Sequence, residues 1–389
     1  MKIKPRLLLL CLCIAAFTGF SGCLRSTEIS DLPLTLGLGV DKSDDPAGFK
    51  IIAQIAKPSQ LKNPASGGGG GSSEPAYANF ESGGETIFDA IRNLTKMIGD
   101  RIFASHSEVL LFGNGIAREG MRDYIDFFLR NPDVRPSAYI IVTQSTVKEI
   151  MDLKPLLENV PVTSLKRILK TQEFTSETAK VTLIEFTSCL MSKTKSAVAP
   201  VAGVAENGGK KAAFISGLAV FKNYKLAGTF NRKETRGLLW VLDKIKKGIL
   251  NVPKKEDGKK IAIEIISSKC KAIPEIKGTK LRVHIKIREQ GSLSEQPVGD
   301  DFISLDGLEY LKQAQADAIK DEIMSAFNKS VELKTDPFGF GELLHKKYPK
   351  EWKNMEQYWD SLYPTIELVF DIKTSLVKTD AITKSVSPE

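Results

Sequence analysis

The chain has 389 residues, 42% of them hydrophobic and 26% charged, with a formal net charge of +8. That composition excludes a disordered chain, and the length calls for two or three domains around more than one core. The positive excess is mild and no aromatic–basic motif accompanies it, so nucleic acid is excluded as a partner.

The first residues form an export signal. Lys2, Lys4 and Arg6 precede an unbroken apolar run, Leu7 to Phe17, and then Thr18-Gly19-Phe20-Ser21-Gly22-Cys23. The run is shorter than the roughly 20 apolar residues that span a bilayer. Charged start, apolar middle and small residues are the order of a secretory signal. Phe20-Ser21-Gly22-Cys23 resembles a bacterial lipobox, in which Cys23 would become a diacylglycerol thioether and then the new N-terminus. Two acyl chains anchor a protein stably where one does not. The other reading is an ordinary signal cut elsewhere, for which an Ala-x-Ala-like ending is missing. Loss of Lys2, Lys4 and Arg6, with no acid beside them, leaves a body of about +5. Such a body suits anionic headgroups, but a plain solvated surface with more Lys than acid is the favoured reading of the charge. Of the five cysteines, Cys11 and Cys13 leave with the signal and Cys23 takes the lipid. Cys189 and Cys270 remain, and whether they meet is open, so packing must hold the fold.

After a polar lead, Leu34 to Val40 and Phe49 to Ala56 read as strands joined by turn chemistry, Asp41 to Gly48. Gly67 to Gly71 lies in a flexible loop without the Lys-Ser/Thr of a phosphate-binding loop. Thr86 to Ile98 carries Ile87, Ile91, Leu94 and Ile98 at helical spacing. Glu108 to Phe112 is a strand, Ala117 to Arg130 a helix ended by Asn131-Pro132, and Ala138 to Thr143 a strand. This β-β-α-β-α-β order predicts helices packed on a sheet. Helices follow at Leu165 to Lys170 and over Glu177 to Met191.

The pattern changes after Lys193 to Pro200. Ala213 to Phe221 and Leu226 to Phe230 flank a hairpin turn, and a helix runs from Lys233 to Ile245. Ile261, Ile263 and Ile265 open a strand. Lys280 to Arg288 alternates Leu281, Val283, Ile285 and Ile287 with charged residues, and Thr365 to Lys373 alternates similarly. One buried and one wet face is typical of antiparallel sheets. Leu305 to Lys329 is a long amphipathic helix. The expected fold is mixed, α/β followed by α+β, in several parts. Residues 1–22 are the signal and 23–198 an N-terminal α/β domain. A linker at 199–211 leads to a C-terminal sheet-and-helix domain at 212–378, with a tail at 379–389.

The residues offer little chemistry. His106, His284 and His345 are the three histidines and none stands at chelating spacing from another. There is no His-Glu-x-x-His, Cys-x-x-Cys or Gly-x-Ser-x-Gly. His106 before a strand reads as a structural hydrogen-bonder and His284 as a surface residue. Asp44-Asp45 and Asp300-Asp301 are loop charges. Trp352 and Trp359, seven apart, share a face of an expected helix that is either core or an interaction surface.

Several stretches carry a resemblance. They are Gly37-Leu38-Gly39-Val40-Asp41, Gly83-Gly84-Glu85-Thr86-Ile87-Phe88-Asp89-Ala90, Arg101-Ile102-Phe103-Ala104-Ser105-His106 and Phe128-Leu129-Arg130-Asn131-Pro132-Asp133. Later come Gly217-Leu218-Ala219-Val220-Phe221, Glu234-Thr235-Arg236-Gly237-Leu238-Leu239-Trp240 and Asp336-Pro337-Phe338-Gly339-Phe340-Gly341. In this order behind a lipobox, they resemble the Ger(x)C lipoproteins, the C subunits of bacterial spore germinant receptors. Pro337 departs from the family's usual apolar residue, and no Gly follows the last strand. The resemblance implies a multi-domain α/β fold and a lipid anchor at Cys23. It implies a place on the outer face of the inner spore membrane and a role in triggering germination by nutrients. The implied partners are integral-membrane A and B subunits, with no enzymatic activity and no cofactor. A lipid-anchored solute-binding protein of an importer is the alternative, and it would show two similar lobes around a cleft.

Overall fold

A computed structural model describes residues 33–44, 47–57, 75–254, 257–297, 302 and 304–377. Cys23, the Gly67 to Gly71 loop and the tail beyond residue 377 lie outside them. The chain enters through β1 (Thr35–Lys42) and β2 (Phe49–Ala56), an antiparallel pair, and β3 (Tyr77–Ser82) adds to β2. Next, α1 (Ile87–Ile98) returns to β4 (Val109–Phe112), parallel to β1. After α2 (Asn114–Glu119) and α3 (Arg122–Arg130), β5 (Tyr139–Thr143) lies parallel to β4. Helices α4 (Val147–Met151), α5 (Pro161–Thr171) and α6 (Leu183–Leu190) lead to β6 (Val198–Asn207), also parallel. A meander of β7 (Lys210–Lys222) and β8 (Lys225–Phe230) completes the sheet, in the order β3-β2-β1-β4-β5-β6-β7-β8.

Both faces of this sheet are covered. β4 is apolar and fully buried, as a central parallel strand must be. Leu110 and Phe112 face a core shared with α1, α3 and α6, and Val109 and Leu111 face a second core under α4 and α5. Local signals set the helix ends. Thr86 accepts from the Asp89 N–H at 3.1 Å at the start of α1, and Gly99 at φ 79° ends it. The helix expected over Glu177 to Met191 starts at Leu183, because Thr182 and Glu185 form a capping box there. The single helix expected over Ala117 to Arg130 is two. Gly120 sits at φ 140°, and the Met121 N–H leaves the helical ladder for the Tyr224 carbonyl at 2.9 Å.

The second half begins with α7 (Arg232–Val241), then β9 (Ile249–Pro253), β10 (Lys260–Lys277) and β11 (Lys280–Glu295) in antiparallel succession. The 28-residue α8 (Leu305–Glu332), about 42 Å long, packs along this sheet. Short helices α9 (Phe340–Lys347), α10 (Pro349–Met355) and α11 (Trp359–Leu362) precede β12 (Glu367–Val377). β12 pairs with β11 in parallel. The strand alternation marks a half-buried strand but says nothing of direction. Here the long helical crossover returns the chain to the same end of the sheet.

Residues 199–211, which read as a linker, form most of β6 and the turn into β7. The first sheet therefore continues to Phe230, and one buried cluster extends from Leu38 in β1 to Ile366 before β12.

Candidate functional site

Three of the sequence motifs, Gly37 to Asp41, Glu234 to Trp240 and Asp336 to Gly341, each lie where two segments approach one another closely. In β1, a Cβ on Gly39 would lie 2.2 Å from the Val147 side chain, and one on Gly37 would lie 2.8 Å from Val162. Buried Asp41 accepts from the Val147 and Lys148 N–H groups at 2.8 and 3.0 Å, so it caps the start of α4. Burial pushes the Asp41 carboxyl up, and the two N–H donors oppose this.

The Glu234 to Trp240 motif is α7. Gly237 lets this helix touch α8, and Arg236 and Trp240 on either side both reach Glu322. Arg236 Nε lies 3.1 Å from a Glu322 oxygen, the Trp240 indole donates to Glu322 at 2.7 Å, and Arg236 also donates to the Ile249 carbonyl of β9 at 2.7 Å. One buried carboxylate thus ties α7 to α8, and its arginine partner reaches the second sheet. Burial pushes Glu322 upward, and Arg236 and Trp240 counter it.

The Asp336 to Gly341 motif closes on itself. The Asp336 carboxylate accepts from the N–H groups of Gly339, Phe340 and Gly341 at 2.8, 3.0 and 2.9 Å, at the N-terminus of α9. Gly339 adopts φ 72°, which favours glycine. The backbone of Asp336 pairs with Ser196 in both directions, at 2.9 Å and 3.0 Å. The motif therefore joins α9 to the segment entering β6. Complete burial pushes Asp336 up to about 6 despite its three donors.

Beside this junction lies a polar cavity of about 240 Å³ lined by Lys193, Lys195, Lys222, Lys334, Trp359 and Asp360 among others. Lys222 donates to Asp360 and to the Lys334 carbonyl, at 2.6 and 2.7 Å, and Lys193 pairs with Glu356 at 2.9 Å.

The histidines stay apart. His106 is exposed in a 3-10 turn before β4. His284 in β11 is half-buried, 2.8 Å from Glu275. His345 is exposed on α9 and stacks on Trp352. Cys189 and Cys270 are both free thiols, and burial pushes Cys270 up to about 12, so it holds its proton. Asp44 lies in the β1–β2 turn, while Asp45, Asp300 and Asp301 fall outside the described residues. Trp240, Trp352 and Trp359 are core anchors, and the last two meet edge-on at 5.2 Å from α10 and α11 instead of sharing one helix. Among the described residues, no three His, Cys, Asp or Glu side chains are grouped to hold a metal, and no helix is long and apolar enough to cross a membrane.

Sequence reasoning did not find the carboxylates at these joints. Asp336 precedes two glycines in a run that must bend, a signal for a backbone nest. Glu289 occupies the inward register of β11 after Ile285 and Ile287, a charge where an apolar residue belongs. It is buried, with both carboxylate oxygens unpartnered, and burial pushes it up to about 8.

Comparison with known proteins places the whole fold. Residues 25–204 match the family model described as the spore germination protein N-terminal domain. Residues 216–380 match the one described as spore germination B3/GerAC like, C-terminal. The chain is 24% identical to spore germination protein KC of Bacillus subtilis (strain 168), with 90% of each chain covered. It is 24% identical to spore germination protein B3 of the same organism, covering 93% of this chain and 95% of the relative. With spore germination protein A3 the identity is 25% across 100% of both. A crystal structure of the GerBC protein shares the fold, with a TM-score of 0.56 and 18% identity over 89% of this chain and 99% of that one.

Proposed function

The chain belongs to the Ger(x)C family of spore germination proteins, and on that premise we propose that it is the C subunit of a nutrient germinant receptor. In this reading it is a non-enzymatic body, lipid-anchored through Cys23 on the outer face of the inner spore membrane. It acts through contacts with integral-membrane A and B subunits. The observation that carries the reading is the run of two family domains, in order, over residues 25–204 and 216–380. The site geometry agrees with it, because Asp41, Arg236, Trp240 and Asp336 are spent on joints between elements. The two sheets differ in size and strand order, which speaks against the paired lobes of a solute-binding protein.

The test is replacement of Cys23 by Ser, followed by fractionation of membranes from cells that lack the A and B subunits. The variant is expected in the soluble fraction and the parent chain in the membrane fraction. A variant that remains fully membrane-bound without those partners removes the anchor from the account.

A further inference from the structure

The loop between α4 and α5 carries an adjacent pair of exposed leucines. Leu156 is 47% exposed and Leu157 86% exposed. Both stems of this loop are pinned. The Leu153 carbonyl accepts from the Tyr77 hydroxyl at 3.1 Å, and the Val162 N–H donates to Gln54 Oε1 at 3.0 Å. Tyr77 and Gln54 lie toward the same end of β1, β2 and β3. There the Ala56 N–H meets the Leu34 carbonyl and the Lys57 N–H meets the Ala76 carbonyl. The described chain also enters at this end, at Pro33, ten residues after Cys23. Those ten residues span at most about 35 Å when fully extended. An N-terminus held at a bilayer therefore keeps Pro33 within about 35 Å of it.

The surroundings of the pair suit a lipid surface. Pro155, Leu156, Leu157, Ile168, Ala212 and Ala213 line a shallow groove of about 410 Å³. Glu158 and Arg167 also line it and pair with each other, and Lys154, next to Pro155 in the chain, is exposed and free to meet anionic headgroups. Single exposed leucines are ordinary on protein surfaces, but two adjacent ones at a loop tip over an apolar groove are not. Leu305 at the start of α8 is equally exposed, at 87%, but lies on the second sheet's side of the molecule.

We propose that Leu156 and Leu157 form a second membrane contact, inserting into the interfacial layer of the bilayer that holds the N-terminus. The inference rests on the anchoring at Cys23 proposed above. Its role is to fix which face of the body meets the membrane, which a flexible tether alone does not do.

The experiment places an indole at the loop tip with Leu157→Trp and, separately, at the comparison site with Leu305→Trp. Trp240, Trp352 and Trp359 are buried and supply a constant background. The full chain, purified from membranes, is reconstituted in phosphatidylglycerol–phosphatidylethanolamine vesicles whose acyl chains carry bromine. A second arm uses the full chain with Cys23→Ser and a histidine tag inserted after position 23, on the same vesicles doped with nickel-chelating lipid. That arm needs no acylation, so failure of the anchor and failure of the loop contact are separable. The expected result is a blue shift and about a two-fold loss of the emission added at position 157, with emission at position 305 unchanged. Water-like, unquenched emission at 157 in the tagged arm overturns the proposal. Equal quenching at both positions overturns it as well, since the body would then touch lipid without a preferred face.

Discussion

A Cβ on Gly237 would lie 2.0 Å from the carbonyl oxygen of Glu322, so α7 and α8 touch backbone to backbone at this point. The contact brings Arg236 and Trp240 within reach of the Glu322 carboxylate. Ala is favoured over Gly in a helix by about 1 kcal/mol, so Gly237→Ala would stabilise an open site. Here the methyl group must push the helices apart and loosen a buried ion pair. The expected outcome is destabilisation by about 3 kcal/mol or more, seen as a lower urea midpoint. A raised midpoint would show that the helices do not approach this closely.

Asp336→Ala leaves the N–H groups of Gly339, Phe340 and Gly341 buried without their acceptor. Each orphaned group costs about 1–3 kcal/mol, less whatever water recovers. The prediction is a loss of about 3 kcal/mol or more, with proteolysis first appearing around α9. Asp336→Asn keeps one acceptor oxygen and falls between the parent and the alanine variant. If Asn and Ala leave the urea midpoint untouched, the nest does not hold this junction.

Glu289 gives the stability a pH dependence of known sign. Its folded-state value, about 8, lies above the ordinary carboxyl value of 4.5. Between these limits the folded protein holds a proton that the unfolded chain has released, so this group's contribution falls as pH rises and levels off above about 8. Glu289→Gln removes the ionisation and keeps the size of the side chain. The variant should match the parent near pH 5 and exceed it by a few kcal/mol near pH 9, measured as urea midpoints across that range. A constant gap at all pH values would mean that Glu289 does not change its charge on folding.

Single replacement of His106, His284 or His345 by Ala should leave nutrient-triggered germination largely intact in spores that accumulate the protein normally. His284→Ala frees Glu275, whose pairing is solvent-screened and contributes little to stability. A histidine variant that abolishes the response while abundance and partner recovery stay normal would point to chemistry or ligand binding at that residue.

Local pattern carried much of this fold. Thr86 and the spacing from Ile87 to Ile98 fix α1, and the alternation of Leu281, Val283, Ile285 and Ile287 fixes β11, because burial on one face writes a period into the sequence. What lay outside that pattern was long-range. β3, Tyr-Ala-Asn-Phe-Glu-Ser, is a short edge strand without clean alternation and has no signature apart from its pairing with β2. The assignment of β6 to β8 to the first sheet depends on the pairing of Val142 with Val201, which no local window contains. The structural use of Asp336 and Glu322 was not legible in the sequence. A carboxylate's partners are set by which backbones the fold brings within 3 Å.

The proposed assembly with two membrane subunits is measured most directly by recovery. An affinity-tagged chain is captured from detergent-solubilised spore membranes, and the co-purifying proteins are identified and quantified by mass spectrometry. Two integral-membrane proteins of the A and B type are expected in near-equal amounts with the tagged chain, and they should be retained when each histidine is replaced. Recovery of the chain alone, from membranes in which A and B subunits are demonstrably present, would contradict it.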